Sequence, residues 1–378
     1  MDPDLQATSD EALQQTFRWQ VPEHFNLAVD VCGRWADQRS RFALYYEDEN
    51  GFTSAHTFWD IQREANRLSN VLAALGTLPG DRLAVVLPQC PQAAIALVAI
   101  CQMGAVAVPL SAHLEPAALA FRLGDAGAHL AIIGQTALPQ LLPLRPRLAQ
   151  LRHLIGVGAA VGPGIRPWAA VLEHASPRYT PAVTAAADAA MMVYPDRQES
   201  RVPGVLLAKH TLLGHLSAYL CAHERVPQPG DLFWSPLEWT SIGGLCAGLL
   251  ASWHFGLPLL AYNGPFEADK AFALIEKYGV RNCLLFPAAL RQMMATVPDP
   301  RAIRDLDLRI LVSAGAPLTE AVRDWAREKL GVIIDETGGQ TSGDLARTNA
   351  DGDLWYEDRD DQAIRRAASV DVGNRDPA

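Results

Sequence analysis

Helix and strand patterns alternate along most of this chain, and that alternation constrains its fold more than any other feature. Residues 57–75 place Ile61, Ala65 and Leu68 on one face of a helix. The alternation continues with strands at 81–89, 105–110 and 129–134 and a helix at 91–103. This succession predicts parallel β-α units joined by right-handed crossovers, and therefore an α/β fold.

A second alternating region begins near residue 188. Its predicted strands are 189–194, 257–262, 282–287 and 309–315, and its predicted helices are 214–226, 243–256, 268–279 and 318–331. The sequence thus predicts a first α/β lobe over 1–185 and a second over 186–335. Residues 336–378 are acidic and poor in core-forming side chains, and we expect a shortened segment with a hairpin and a frayed tail.

Composition excludes several classes of protein. Apolar residues make up 49% of the 378 residues and charged residues 20%, so the chain can build a large core. The net charge of −10 argues against a nucleic-acid partner. No stretch of 18 uncharged apolar residues predicts a membrane span. The polar start is unlike a secretory signal, and the six cysteines form no CxxC pair, so we expect reduced thiols and a cytoplasmic location.

Lysine is scarce and confined to one part of the chain. Four of the 32 basic residues are lysines, and the other 28 are arginines. The lysines are Lys209, Lys270, Lys277 and Lys329. Chemistry that needs a lysine before residue 209 or after residue 329 is therefore excluded for this sequence.

Motifs for common cofactors are missing. The glycine cluster at 156–164 lacks GxGxxG spacing and precedes Pro167, so we interpret it as a loop. The sequence contains no Walker-type phosphate loop and no HExxH metal box. His24, His210 and His215 are isolated, and we interpret them as surface or capping residues.

Several segments, in order, resemble the adenylate-forming (AMP-binding) superfamily. DLFWSPLEWTSIGGL (231–245) is similar to the W-T-P-x-D-W-x-W-I-G-G-L segment of acetyl and medium-chain acyl-CoA synthetases. DLRILVSAGAPL (307–318) and DETGGQTS (335–342) resemble the family's S-G-G-E-P-L and N-E-F-Y-G-Q-T-E segments. Residues 342–364 resemble its T-G-D segment and its hinge segment G-R-x-D-D, so the resemblance implies that 336–378 is a shortened remnant of the family's barrel and hinge segment. The resemblance covers roughly residues 23–365.

The resemblance implies a fold, a reaction and an acyl pocket. The fold would be two parallel-sheet lobes like the large N-terminal domain of these enzymes, with the small C-terminal domain absent. The ancestral reaction joins a carboxylic acid, ATP and CoA into an acyl-CoA through an acyl-AMP, as in fatty acid metabolism. The pocket residues implied are Trp239, Gly243, Gly244, Ser313 and Gly315. Ordinary helix packing, with glycine allowing close approach, explains these residues equally well.

The family's phosphate loop, Y-T-S-G-T-T-G-x-P-K-G, aligns without a gap to residues 194–204. Only Tyr194 and Gly204 agree, and Pro203 occupies the lysine position. Asp196 and Glu199 would place carboxylates beside the triphosphate, where like charges about 4 Å apart repel by roughly 1–4 kcal/mol. Lys209 lies six residues past the lost lysine, and we do not expect it to substitute.

The later nucleotide-binding segments also depart from the family. Gly338 stands where the family stacks an aromatic ring on adenine, and Ser342 stands at its Mg²⁺-ligand position, so no metal site is predicted. The strands that the family carries between G-Q-T-E and T-G-D are missing, and so is the C-terminal lysine. The resemblance therefore implies a vestigial nucleotide-binding set: Tyr194, Gly204, Gly339, Gln340, Thr341, Asp344 and Arg359.

These departures leave three hypotheses about function. The favoured one is a catalytically impaired synthetase relative, with no confident catalytic residue, that binds a carboxylic acid, an acyl-CoA or a protein partner. The second is an active short- or medium-chain synthetase, which alone would require ATP, Mg²⁺ and CoA. The third is a product without a selected function. Two further hypotheses are that the chain associates with itself and that a partner protein supplies the missing domain.

Overall fold

The computed structural model describes residues 21–194, 202–223 and 226–337, and two further strands at 345–348 and 354–357. The strands are β1 (Phe42–Asp48), β2 (Thr53–Thr57), β3 (Arg82–Val86), β4 (Val106–Leu110), β5 (Leu130–Ile133), β6 (His153–Gly156), β7 (Ile165–Pro167), β8 (Ala189–Val193), β9 (Val205–Ala208), β10 (Phe233–Trp234), β11 (Leu259–Asn263), β12 (Asn282–Leu285), β13 (Ile310–Ala314), β14 (Ile334–Thr337), β15 (Leu345–Thr348) and β16 (Leu354–Glu357). The helices are α1 (Leu27–Val31), α2 (Phe58–Ala74), α3 (Pro91–Gln102), α4 (Pro116–Ala126), α5 (Leu138–Leu141), α6 (Trp168–Glu173), α7 (Thr211–Ala222), α8 (Ile242–Gly244), α9 (Ala251–His254), α10 (Ala268–Tyr278), α11 (Pro287–Thr296) and α12 (Glu320–Trp325). Two π-helical stretches, Leu245–Leu250 and Ala326–Leu330, extend α8 and α12.

Two seven-stranded sheets form the framework, as the alternating pattern predicts. The first has the order β7-β6-β5-β3-β4-β8-β9, and every neighbouring pair is parallel except the β8–β9 hairpin. The second has the order β14-β13-β12-β10-β11-β1-β2, and only β1–β2 is antiparallel. The predicted α/β class with parallel-dominated sheets is confirmed.

The sheets do not divide the chain at residue 185. Strand β1 pairs in parallel with β11, so β1 and β2 belong to the second sheet although they come early in the sequence. Strand β8 pairs with β4, so β8 and β9 belong to the first sheet although they follow the predicted division. The two stretches of chain are thus interleaved, and a boundary between lobes stays a prediction.

Three apolar cores hold the layers together. The middle core lies between the sheets, where Leu68 of α2 and Ile100 of α3 join Phe233 and Trp253 of the second half. One outer core packs α4 on the first sheet, and the other packs α10 and α12 on the second sheet. Every strand that contributes to two cores is buried on both faces, which explains its nearly continuous apolar sequence.

Local signals at helix ends agree with the sequence. Thr57 and Asp60 form a capping box at the start of α2, where each side chain accepts from the other's backbone N–H. The helix predicted over 268–279 ends at Gly279, which adopts φ +64°. The helix predicted over 318–331 ends at Gly331, with φ +69°. Glycine tolerates these left-handed conformations, so both predicted stops are confirmed.

The hairpin expected in the last part of the chain is present, because β15 and β16 pair antiparallel from Leu345–Glu357 to Thr348–Leu354. The tail that follows lies outside the described residues. Within the described ranges, we find no helix with the length and apolar character needed to cross a membrane.

Candidate functional site

The two retained positions of the phosphate loop are bound to one carboxylate. Tyr194 follows β8 and Gly204 precedes β9, so they are the two ends of the loop. The Tyr194 hydroxyl lies 2.8 Å from Oδ2 of Asp125, near the end of α4. The Gly204 N–H donates to the same oxygen at 2.9 Å. Asp125 thus joins both ends of the loop to the outer helix of the first sheet.

Packing around these ends explains why both residue types are needed. Tyr194 is buried, and its pKa is raised by burial and by the Asp125 carboxylate, so the hydroxyl stays protonated as a donor. The guanidinium of Arg122 covers the Tyr194 ring at 5.2 Å. A side chain at Gly204 would begin 2.7 Å from Cε of Met192 and 2.8 Å from Cζ of Tyr194. Only glycine fits there without a shift of its neighbours.

Lys209 is committed to an ion pair at the base of the same hairpin. Its side chain is fully buried, and Nζ lies 3.3 Å from Oδ2 of Asp188. The backbone N–H of Lys209 also donates to the Asp188 carbonyl at 2.9 Å. Lys209 therefore closes the base of the β8–β9 hairpin through both its side chain and its backbone. A buried ammonium that loses its carboxylate is strongly destabilised, so Lys209 is held in place.

The loop after β10 is fixed by contacts from both sheets. Ser235 donates from Oγ to the Leu284 carbonyl of β12 at 2.7 Å and accepts from the Leu237 N–H at 3.2 Å. Gln89, which follows β3 of the first sheet, donates from Nε2 to the Ser235 carbonyl at 3.3 Å and to the Leu237 carbonyl. The sequence did not single out Gln89. A lone glutamine after a strand carries no signal of a partner about 150 residues away.

The helix after this loop starts with a tight turn. Ser241 caps α8 by accepting from the Gly244 N–H at 3.1 Å, and its own hydroxyl donates to the Glu238 carbonyl at 3.1 Å. A Cβ on Gly244 would overlap the Glu238 carbonyl oxygen and lie 2.7 Å from that of Leu237. Gly243 has more room, because its nearest contact would be Cδ1 of Leu237 at 3.6 Å. Gly244 therefore has a clear packing reason for being glycine.

The five predicted acyl-pocket residues fall into two groups. Trp239, Gly243 and Gly244 lie together after β10, and buried Trp239 packs in the middle core. Ser313 and Gly315 lie at the end of β13, which is separated from β10 by β12. Ser313 is buried, whereas exposed Gly315 adopts φ +110°, a conformation that favours glycine. The carboxyl ends of these strands form one edge, where α/β sheets bind ligands.

Two cavities within the described part of the chain lie elsewhere. One is lined by residues that include Trp234, Tyr262 and Phe266, and the other, wholly apolar, by residues that include Cys101 and Trp253. Neither is lined by the predicted pocket residues. The assignment of Trp239, Gly243, Gly244, Ser313 and Gly315 to an acyl pocket therefore stays a prediction.

Most of the vestigial nucleotide-binding set falls outside the described residues. Gly339, Gln340, Thr341, Asp344 and Arg359 lie there, as does Ser342 at the family's Mg²⁺-ligand position. Among the residues that the structure describes, no three His, Cys, Asp or Glu side chains are grouped so that they could hold a metal ion. The described residues thus provide no acidic cluster for Mg²⁺.

A buried carboxylate in β1 was also missed by the sequence reasoning. Glu47 is 2% exposed, and its carboxylate accepts from Lys270 and Lys277, each at 2.6 Å, and from the Tyr278 hydroxyl at 2.7 Å. Burial alone would raise the pKa of Glu47, but these three hydrogen bonds outweigh it and lower the pKa to about 2. Lys270 and Lys277 lie two turns apart on one face of α10. Their spacing was the only signal in the sequence for a carboxylate partner.

The arrangement of the two sheets defines the class of protein to which the chain belongs. Two mixed sheets with helices on both faces, linked by the hydrogen bonds from Gln89 to the loop after β10, define an α/β protein of the kind that binds ligands at strand ends. The family model described as "AMP-binding enzyme" matches residues 33–367. The chain belongs to this family.

Among curated proteins, the chain is similar to acetyl-coenzyme A synthetases. It is 28% identical to that of Gemmatimonas aurantiaca over 346 residues, which cover 83% of this chain and 52% of the relative. It is 27% identical to that of Cronobacter sakazakii, over 86% of this chain and 54% of the relative. A mitochondrial acyl-coenzyme A synthetase of Pongo abelii is 24% identical. The chain spans about half the length of these relatives.

Solved structures support the same fold. A Brucella canis acyl-CoA synthetase superimposes with a TM-score of 0.74 at 24% identity, covering 87% of this chain and 59% of that one. An anthranilate CoA ligase in complex with anthranoyl-AMP also gives 0.74, at 22% identity, covering 84% of this chain and 59% of that one. The expected fold of two sheet-containing lobes is confirmed by these likenesses.

Proposed function

We propose that this chain binds a carboxylic acid or an acyl-CoA in a cleft at the carboxyl ends of β10 and β13, beside Trp239 and Ser313, and does not adenylate the acid at a useful rate. The family supplies the first half of the proposal, because its members include acetyl- and acyl-coenzyme A synthetases. The proposal that adenylation is slow or absent rests on the chain's own phosphate-loop residues and on its lysines.

The observation that carries the proposal is the engagement of every lysine. Lys209 pairs with Asp188, Lys270 and Lys277 pair with Glu47, and Lys329 pairs with Asp299 at 2.7 Å. All four lysines of the sequence lie in the described part of the chain. Lys209 is nearest in sequence to the lost phosphate-loop lysine, and its fully buried side chain is held at the base of the hairpin. Adenylation would therefore proceed without the point charge that the family uses there.

The two phosphate-loop residues that match the family pattern have a structural explanation. Tyr194 and Gly204 are held by Asp125, so their retention requires no nucleotide. Between them the sequence places Asp196 and Glu199, which would repel a triphosphate, and Pro203, which lacks an N–H. Removing one group that stabilises a transition state reduces a rate by about 10²–10³. Several such changes together favour a protein with little or no adenylation activity.

The acyl side of the cleft is better preserved. Gln89, Ser235 and Ser241 fix the loop that carries Trp239, and Gln89 ties that loop to the first sheet. A rigid loop between two sheets can form the wall of an apolar pocket without any phosphate cradle. This arrangement supports retained binding of an acyl group.

Thermal unfolding with separate ligands tests the proposal. We expect octanoyl-CoA or octanoate to raise the melting temperature, because a ligand that binds only the native state stabilises it. Millimolar ATP with Mg²⁺ should leave the melting temperature unchanged. Trp239→Ala should abolish the acyl shift, whereas Trp325→Phe, at an outer core away from the cleft, should retain it.

A pyrophosphate-release assay with acetate through octanoate separates the alternatives. Turnover well above a blank would support an active synthetase, which the similarity to acetyl-coenzyme A synthetases favours, and would overturn our proposal. The absence of a shift with any acyl ligand would support a product without a selected function. Self-association, or a partner that supplies the remaining length of the relatives, stays a prediction, and sedimentation velocity measures the first.

A further inference from the structure

Strand β2 ends the second sheet, and one of its sides has no partner strand. It pairs antiparallel with β1, and no other described strand lies beside it. The Asp48 N–H donates to the Phe52 carbonyl at 3.0 Å, and hydrogen bonds to β1 recur at every second residue from that point. Thr53 and Ala55 therefore direct their N–H and C=O groups away from β1. This side of β2 can pair with another extended chain.

The open side of β2 lacks the features that keep sheet edges from pairing. Two other edges of the sheets are protected: β7 carries Arg166 and Pro167, and β14 carries Asp335 and Glu336. Charged side chains and proline at an edge hinder the addition of a further strand. The sequence of β2, TSAHT, contains neither. His56 is its one titratable residue, and burial lowers its pKa, so the strand is uncharged near neutral pH.

An acidic turn stands at one end of β2. The Asp48 carboxylate accepts from the N–H groups of Asn50 and Phe52, each at 2.9 Å, and so fixes the turn between β1 and β2. Glu49 lies in this turn, is exposed, and forms no ion pair within the described residues. Phe52, which directly precedes β2, is 63% exposed. The turn thus presents a negative charge and an aromatic ring to the solvent.

Two stacked arginines stand at the other end of β2. The helix α2 begins directly after β2, and its second residue is Trp59. The guanidinium groups of Arg39 and Arg63 lie 5.1 Å and 4.7 Å from the centre of the Trp59 ring. Arg63 pairs with Glu64 at 3.3 Å, whereas Arg39 has no carboxylate partner among the described residues. Because like charges repel, a carboxylate from outside the chain would stabilise this stack.

We propose that a second copy of this chain pairs with β2 in antiparallel orientation, about a twofold axis at Ala55. Ala55 lies opposite the partner's Ala55, and Thr53 lies opposite the partner's Thr57. The second sheets of the two copies continue into each other across this axis, and the outward backbone groups of β2 receive hydrogen-bond partners. The Thr57 N–H stays in the capping box of its own helix, because it donates to the Asp60 carboxylate at 3.0 Å.

The charges at the two ends of β2 select this partner and this orientation. Phe52 and Phe58 are each three residues from Ala55, about 10 Å along a strand, so each turn reaches the start of the partner's α2. Glu49 then lies beside the partner's Arg39, and the twofold axis repeats this contact. The contact is small, so the dimer forms only at high protein concentration. It is independent of the acyl site, because β2 is three strands away from β10.

Sedimentation equilibrium of the full chain tests the dimer. We expect a reversible monomer–dimer equilibrium with a dissociation constant of roughly 10–100 µM, since small interfaces are weak. Glu49→Arg and Arg39→Glu should each weaken the dimer at least about tenfold, because each variant sets like charges face to face at two places. The double variant restores opposite charges and should return the dissociation constant to within about threefold of the wild type. Val183→Arg, at an 83% exposed residue outside β2, is the control and should leave the dimer unchanged.

Ala55→Pro tests the backbone pairing itself. It removes the outward N–H, and an edge strand tolerates proline at such a position, so the monomer should keep its fold by circular dichroism while the dimer weakens at least about tenfold. The proposal is overturned by a wild type that stays monomeric up to about 200 µM, or by assemblies larger than a dimer. It is also overturned if the single charge variants or Ala55→Pro associate like the wild type, or if the double variant is not rescued. None of these outcomes depends on acyl-CoA or ATP, so the two proposals fail separately.

Discussion

Tyr194 and Gly204 meet at a single atom, Oδ2 of Asp125, which lies 2.8 Å from the Tyr194 hydroxyl and 2.9 Å from the Gly204 nitrogen. These are the only two positions of the phosphate loop that match the family pattern. The structure gives both of them a role in holding the ends of the β8–β9 connection. Packing and hydrogen bonding therefore explain why these two residues match the family pattern in a loop whose other positions differ from it.

The first prediction concerns this shared carboxylate. Tyr194→Phe removes one of the two hydrogen bonds to Asp125, and a bond to a charged group contributes about 1.5–3 kcal/mol, so we expect a loss of stability in that range. Asp125→Ala removes both bonds and should destabilise the chain more. Adding Tyr194→Phe to Asp125→Ala should cost less than Tyr194→Phe alone, because the hydroxyl then has only the neutral Arg122 carbonyl, 2.9 Å away, as its acceptor. Urea unfolding of the four proteins measures this double-mutant cycle.

Additive effects in that cycle would show that Tyr194 and Asp125 act separately, which would contradict the arrangement described here. A change in the slope of the unfolding transition would indicate that the loop ends come apart in the folded state as well. The wild-type slope serves as the reference for all three variants.

The second prediction compares neighbouring glycines. Gly244→Ala should destabilise the chain by about 1–3 kcal/mol, because its Cβ overlaps backbone carbonyls of Glu238 and Leu237 that cannot move cheaply. Gly243→Ala should be neutral or stabilise by up to about 1 kcal/mol, because its Cβ is accommodated and alanine favours the helix. Thermal unfolding of both variants gives the comparison. Equal losses would mean that the turn is not the reason for Gly244.

Much of the fold could be predicted from the sequence because most elements have local causes. The period of α2, its capping box and the glycine stops after α10 and α12 are all encoded within a few residues. Strand β1 was not predicted, because FALYYED alternates poorly and includes a buried glutamate. Its pairing with β11 joins residues more than 200 positions apart, and no local pattern carries that information.

The site was predicted less completely for the same reason. Tyr194 and Gly204 could be aligned to a family motif, but their common partner Asp125 lies 69 to 79 positions away. The scarcity of lysine indicated a loss of phosphate chemistry. The sequence could not show that each remaining lysine is held by a carboxylate, since Glu47 precedes Lys270 by 223 positions. Long-range partners decide which of these side chains are free.

The third prediction is a pH dependence at Glu47. Its pKa is lowered from 4.5 to about 2 in the folded state, so folding favours the ionised form. The resulting stability is fully present above about pH 4.5 and is lost as the pH falls towards 2. A shift of this size corresponds to about 3 kcal/mol at neutral pH. Glu47→Gln should remove that contribution.

Denaturant unfolding of the wild type and Glu47→Gln at pH 7, 4.5 and 3 measures the effect. The difference between the two proteins should be largest at pH 7 and should shrink steadily below about pH 4.5. Glu276→Gln is a suitable control, because Glu276 is bonded to Arg304 at the surface and its loss should change stability little. A constant difference across this range would show that Glu47 is not the titrating group.

The last prediction concerns the two indoles of the second sheet's outer core. Trp234→Phe and Trp325→Phe both remove part of a buried ring and should leave similar gaps. Only Trp325 donates to an acceptor, the Pro298 carbonyl at 2.9 Å, whereas Nε1 of Trp234 has none among the described residues. Trp325→Phe should therefore be the more destabilising change, by about 1 kcal/mol, in the protein without added ligand. Urea unfolding of the pair at equal protein concentration measures this difference. A larger loss for Trp234→Phe would mean that its indole N–H already has a partner in the folded chain.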